Sequence, residues 1–128
     1  KKKPDTILNA YNDKAGVTKA FNINLLNRIN KELGGDFDTT NFHHYPVYNP
    51  ESGACQSYLV SDKEQKVWLR ELDLEVYFKP YETIFMEVSQ KYSSEDLTQI
   101  AASAGFTIAH KFYDCKHYFL DSIWQLKL

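Results

Sequence analysis

The sequence predicts an α+β domain with a mostly antiparallel sheet and two main helices, and three observations carry that prediction. Apolar residues recur at helical spacing from Val17 to Leu33. From Phe42 to Lys91 the pattern changes to alternation broken by turn residues. A second helical segment and a final pair of alternating runs follow from Ser93. Aromatic residues make up 15% of the chain, with nine Tyr, eight Phe and two Trp. Each buries a large area, so a small β-rich domain can build its core from few positions.

Taken in order, Pro4 to Asp13 begins with a short helical turn, Pro4 being tolerated early in a helix. Tyr11-Asn12-Asp13 and Gly16 read as a loop leading into the first main helix. In that helix Phe21, Leu25, Ile29 and Leu33 recur every fourth residue as the expected core face, and Gly34-Gly35 stops it. It also carries Asn22, Asn24, Asn27 and Asn30. Asparagine is a mediocre helix former, so this concentration points to surface or partner contacts rather than propensity.

Beyond Asp36-Phe37-Asp38, Phe42 to Tyr48 reads as a strand, ended by Asn49-Pro50, with Ser52-Gly53 completing a turn. Cys55 to Val60 and Gln65 to Arg70 are the next two, separated by Ser61-Asp62-Lys63. Leu72, Leu74, Val76 and Phe78 alternate with Asp73, Glu75, Tyr77 and Lys79 as a half-buried strand, and Pro80-Tyr81 turns the chain. Thr83 to Lys91 alternates again, with Ile84, Met86 and Val88 on one face and Phe85, Glu87 and Ser89 on the other. Ser93-Ser94-Glu95-Asp96 has the pattern of a capped helix start, and Ala104-Gly105 closes that helix. Phe106 to Phe112 and Tyr118 to Leu126 form the last strand pair around Asp114-Cys115-Lys116.

A length of 128 residues predicts a single domain over 1–128. Fifteen basic and seventeen acidic residues give a net charge of −2, which implies no global attraction to nucleic acid or to an anionic membrane. No apolar run approaches the roughly 20 residues a spanning helix needs. Two cysteines, Cys55 and Cys115, are too few for a disulfide scaffold, and reduced thiols in a cytoplasmic protein are expected. Lys1-Lys2-Lys3-Pro4 has no apolar segment behind it and is not a signal peptide. A first residue other than Met raises the expectation of a piece of something longer.

The chemistry starts with what is missing. No glycine-rich phosphate-binding loop is present, and Gly16, Gly34, Gly35, Gly53 and Gly105 each sit at a turn or cap. His43 and His44 are adjacent on a strand, so they point to opposite faces and do not chelate one ion. Asp114-Cys115-x-His117 has ligand chemistry but no second half of a metal site, and no catalytic residue or metal is assigned. Glu87 and Ser89 are two apart and share a strand face, with Phe85 beside them. A carboxylate and a hydroxyl next to an aromatic ring can grip a small nitrogenous ligand, Glu87 accepting from an N–H or cation and Ser89 serving either polarity. The same pattern describes a solvated strand face. Tyr11 reads first as a loop residue whose hydroxyl is able to bind a carboxylate.

One block of sequence is more specific. Ala10-Tyr11-Asn12-Asp13-Lys14-Ala15-Gly16-Val17-Thr18-Lys19-Ala20-Phe21-Asn22-Ile23-Asn24-Leu25-Leu26, with Asn30-Lys31-Glu32-Leu33 and Asp36-Phe37-Asp38, resembles the histidine-specific N-alpha-methyltransferases of ergothioneine biosynthesis. The resemblance continues through Leu72-Asp73-Leu74-Glu75-Val76, Glu87-Val88-Ser89-Gln90-Lys91-Tyr92 and Ala104-Gly105-Phe106, and more weakly near Asp114. It implies a SAM-dependent enzyme that methylates the α-amine of histidine, built from a Rossmann-like SAM domain and a second domain that completes the amino-acid pocket. This chain resembles the second part of such a two-domain methyltransferase. The SAM domain is then expected upstream in the same chain, and this fragment alone is expected to bind no cofactor and to be inactive.

The resemblance further implies that Tyr11 contacts the amino-acid substrate and that Glu87 and Ser89 bind the imidazole. The resemblance also places Ser57 where one member of that family carries a bulky apolar residue, a change in pocket volume and polarity that bears on which amine is bound. The expected partners are a small amino acid and the SAM domain, with no nucleic acid and no membrane. The alternatives are a related methyltransferase for another amine or a peptide, and a non-catalytic ligand-binding or interaction module.

Overall fold

Three helices and seven antiparallel strands give an α+β architecture in the computed structural model, which describes residues 1–127. Two compact units are present: Lys3–Gln90, and Lys91 onward together with Lys1–Lys2.

In the first unit, α1 (Pro4–Tyr11) carries its proline in the first turn, where no intrahelical N–H bond is lost, and buries Ile7. It includes Tyr11, so the expected loop is shorter than the sequence implied. α2 (Val17–Leu33) is bracketed by Gly16 and Gly34, both with positive φ (71° and 59°). Asp13 receives the N–H groups of Val17 and Thr18, each at 2.9 Å, satisfying two of the donors orphaned at the helix start.

The buried face of α2 differs from the expected one. Asn22 and Leu26 are buried, with Ile23 and Ile29 packed on the core, whereas Phe21 is 68% exposed and Leu25 38%. Two overlapping apolar stripes are written on this helix, offset by about one residue or roughly 100°. Only the surface it packs against selects between them. The asparagines also divide. Asn30 exchanges two hydrogen bonds of 2.8 Å with the backbone of Phe37 and fixes the turn after the helix. Asn24 and Asn27 are exposed, and Asn22 is inside.

Strands β1 (Phe42–Asn49), β2 (Ala54–Ser61) and β5 (Thr83–Gln90) form an antiparallel sheet in the order β1-β2-β5. Pro46 is tolerated because β1 is an edge strand. β3 (Gln65–Leu69) and β4 (Leu74–Phe78) form a separate hairpin. The expected start of β4 is corrected here: Arg70–Leu72 is a 3₁₀ turn and Asp73 takes φ 49°, so Leu72 and Asp73 precede the strand and Leu72 is exposed. α2, the sheet and this hairpin enclose one core of Leu26, Phe37, Phe42, Leu59, Val67, Leu69 and Phe78. Its centre is a trio of rings, Phe37, Phe42 and Phe78, with centroids 5.4–6.0 Å apart.

In the second unit, α3 (Ser94–Ser103) opens with the expected capping box. Ser93 Oγ accepts the Asp96 N–H at 3.1 Å, and Asp96 accepts the Ser93 N–H at 2.7 Å. The helix packs on the antiparallel pair β6 (Phe106–Tyr113) and β7 (Leu120–Leu126). In the turn between them Asp114 accepts the N–H groups of Lys116, Tyr118 and Phe119, and His117 stacks on Tyr113 at 4.8 Å. Asp114 and His117 are thus occupied in shaping the turn, and Cys115 beside them is exposed. No described helix is long and apolar enough to cross a membrane.

Candidate functional site

The site lies in the Lys3–Gln90 unit, on the face of the β1-β2-β5 sheet that α1 and α2 cover. Residues directly opposite in an antiparallel ladder share a face, so the register identifies that face in rows. One row is His44, Leu59 and Ile84; the next is Pro46, Ser57 and Glu87; the third is Tyr48, Cys55 and Ser89. Leu59 belongs to the core, and Cys55, Ser57 and Leu59 are fully buried.

Glu87 reaches this face through a β-bulge. Ser57 pairs with Glu87 but the next residue of β2, Tyr58, pairs with Phe85, so Met86 is the extra residue. Ile84, Glu87 and Ser89 therefore point inward together, while Phe85 and Val88 are 54% and 53% exposed. This overturns the expected grouping of Phe85 with Glu87 and Ser89. Strict alternation through Met86 places all three on one face, and the inserted residue shifts the phase by one. Phe85 instead packs edge-on against Tyr58 at 5.6 Å on the outer side.

A cleft of about 270 Å³ runs between α2 and β5, lined by Phe21, Asn22, Asn24, Leu25, Arg28, Met86 and Glu87. The exposed stripe of α2 is therefore one wall of the cleft. At its rim Arg28 holds Glu32 through two hydrogen bonds of 3.0 and 3.2 Å. Of the residues singled out from sequence, Glu87 lines the cleft, and Ser57 and Ser89 lie on the same sheet face beside it. Tyr11 comes from the end of α1, half-buried, on the helix that covers β1 and β2, and it is not among the cleft residues.

Two further residues belong to this neighbourhood and were not singled out for it. Asn22 is 1% exposed; its Nδ2 donates to the Thr18 carbonyl at 3.0 Å, and its Oδ1 has no partner. His44 faces inward beside Phe42 and Pro46, with Nε2 buried and unpartnered. Burial holds the His44 pKa below its ordinary value, against the opposing pull of the Glu87 and Asp13 carboxylates. The signal for His44 was available in strand alternation, which puts it on the face of the buried Phe42. The signal for Asn22 was not, because its burial depends on which stripe of α2 turns inward. His43, on the outer face, pairs with Asp62.

The donor set is one carboxylate, two hydroxyls, an amide oxygen and a neutral imidazole. It suits a ligand rich in N–H groups. The histidine-specific, SAM-dependent methyltransferase family matches residues 1–126. The histidine N-alpha-methyltransferase of Mycolicibacterium smegmatis is 38% identical over 108 residues, covering 84% of this chain and 34% of that protein. The protein of the same name from Mycobacterium tuberculosis is 37% identical over 99 residues, covering 77% and 31%. Ergothioneine biosynthesis protein 1 of Schizosaccharomyces pombe is 28% identical over 111 residues, covering 86% and 14%. The chain thus spans about a third of the length of the two bacterial relatives.

Proposed function

This chain belongs to the histidine-specific, SAM-dependent methyltransferase family, and from that premise we propose that it is the substrate-recognition part of an enzyme methylating the α-amine of histidine or a related amino acid. The observation that carries the reading is Glu87, turned by the Met86 bulge onto the covered sheet face and into a cleft of amino-acid size. Its carboxylate accepts an N–H of the ligand ring, and Ser89, two residues on, meets the same ring. Ser57 borders it. Tyr11 fixes the amino-acid end.

SAM, bound by a domain of the same protein outside these residues, supplies the methyl group when present. The residues here supply orientation: they hold the ring, so that the neutral α-amine is presented in line for transfer. The cleft is walled by the Glu87 carboxylate, the Asn22 and Asn24 amides, the Arg28 guanidinium and the apolar Phe21, Leu25 and Met86, and its carboxylate and amides suit the N–H groups of an amine. The exposed Val17 and Phe21 of α2 are the surface we assign to contact with the SAM domain.

A second reading, a related amine in place of histidine, draws on one observation. Ser57, the cross-strand partner of Glu87, is fully buried and its hydroxyl has no partner, so the sheet face beside Glu87 is polar at that point. The deciding experiment is histidine binding and methylation by the full-length protein and its Glu87→Ala variant. We expect stepwise methylation of histidine by the parent and at least a tenfold loss of affinity in the variant, since an N–H left without its charged acceptor costs about 1.5–3 kcal/mol. An unchanged dissociation constant for Glu87→Ala sinks the assignment.

A further inference from the structure

The outward face of the β1-β2-β5 sheet takes no part in the site described above. The register places Tyr45, Tyr58 and Phe85 in one row across its three strands, with Val47, Gln56 and Val88 in the next. Tyr45, Phe85 and Val88 are 54%, 54% and 53% exposed, and Tyr58 packs edge-on to Phe85. No Lys, Arg, Asp or Glu stands at an outward position of these strands, although such residues make up 25% of the chain. An aromatic centre emptied of charge is the composition of the core of a protein interface, whereas a solvated sheet face is polar. Neither edge of the sheet is suited to adding a strand. Pro46 offers no N–H on the edge strand β1, and the bulge at Met86 breaks the regular ladder of β5 at the other edge. Association is thereby directed to the face.

We infer that this face is a contact between two copies of the chain, which pack the outward faces of their sheets together across a two-fold axis. The charge pattern points to a second copy. In a two-fold contact the same patch meets itself, so a charge near the axis is opposed by its own kind, and a face without charges is what self-association requires. A partner of opposite charge needs charged residues to steer it, and this face has none. α1 and α2 lie across the other face of the sheet, so a copy docked here leaves the cleft open. The surface assigned above to the SAM domain, Val17 and Phe21, also belongs to α2, and to that extent the choice of occupant rests on the proposed function. Three strands of eight residues, at about 4.8 Å between strands and 3.4 Å per residue, have a footprint of about 400 Å² per copy. Two such footprints fall short of the roughly 1,200 Å² of a standard interface, so the dimer is weak and reversible, with a dissociation constant on the order of 100 μM.

The test is sedimentation equilibrium of the full-length protein from about 5 to about 500 μM, alone and as its Val88→Lys and Tyr45→Lys variants. We expect a monomer–dimer equilibrium in the parent and a dimer at least about tenfold weaker in each variant, because each sets two like charges face to face. Both side chains are half exposed in the monomer, so in dilute solution both variants should keep the parent's melting temperature and its affinity for histidine. A parent that stays monomeric at about 500 μM, or a dimer that both substitutions leave untouched, overturns the inference. So does a variant monomer that melts well below the parent, which shows the face to be covered by the rest of its own chain. Histidine affinity reports separately on the proposed function: its absence from the parent sinks that reading, while a dimer lost in both variants still stands.

Discussion

Ser57 on β2 stands directly across from Glu87 on β5, and the ladder slips immediately beyond the pair, so that Tyr58 meets Phe85 and Met86 is left over. That single extra residue converts a strand of ordinary alternation into one that delivers a carboxylate to a covered face. It also separates two residues that alternation would join.

Phe85→Ala is accordingly expected to leave histidine affinity of the full-length protein unchanged, in contrast to Glu87→Ala. Its cost is the edge contact with Tyr58, about 0.5–1.5 kcal/mol of stability. Parallel titrations and urea unfolding check both halves. A loss of affinity in Phe85→Ala matching that of Glu87→Ala would restore the unbroken alternation.

The two stripes of α2 make a second contrast. Leu26 is fully buried, so Leu26→Ala should destabilise the fold by about 2–5 kcal/mol through lost transfer energy and a cavity. Phe21, 68% exposed, should tolerate Ala within about 0.5 kcal/mol. Urea unfolding midpoints of the two variants distinguish this face of the helix from the one that its every-fourth-residue spacing favours.

Asp13 links the start of α2 to pH. The N–H groups of Thr18, foremost, and Val17 hold its carboxyl down from 3.8 to about 2. A carboxylate depressed in the folded state contributes stability that is fully present above its unfolded value and is lost as pH falls through the folded one. Asp13→Ala should therefore lower the melting temperature at neutral pH, and the gap between parent and variant should close as the pH falls from 3.8 through about 2. A gap that is constant over that range would show that the carboxylate charge contributes nothing to the cap.

Much of this protein was legible in the chain alone. The α+β class, the capping box at Ser93 and Asp96, the glycine stop at Gly34 and most strand limits follow from local chemistry: backbone donors needing caps, turns needing particular residues, and two distinct apolar periods. Glu87, Ser57 and Ser89 were also singled out there, and they share one face in the structure.

What only the tertiary structure decided was phase. Which stripe of α2 is buried depends on the shape of the Phe37, Phe42 and Phe78 cluster it meets, because both stripes are apolar and a helix turns only about 100° between them. The inward turn of Glu87 depends on a pairing slip against β2, which no pattern within β5 encodes, since register is a property of two strands. Asn22 joined the site for the same reason, whereas alternation along β1 already puts His44 on the face of the buried Phe42. The sequence determined which residues could bear the chemistry, and packing determined which of them face one another.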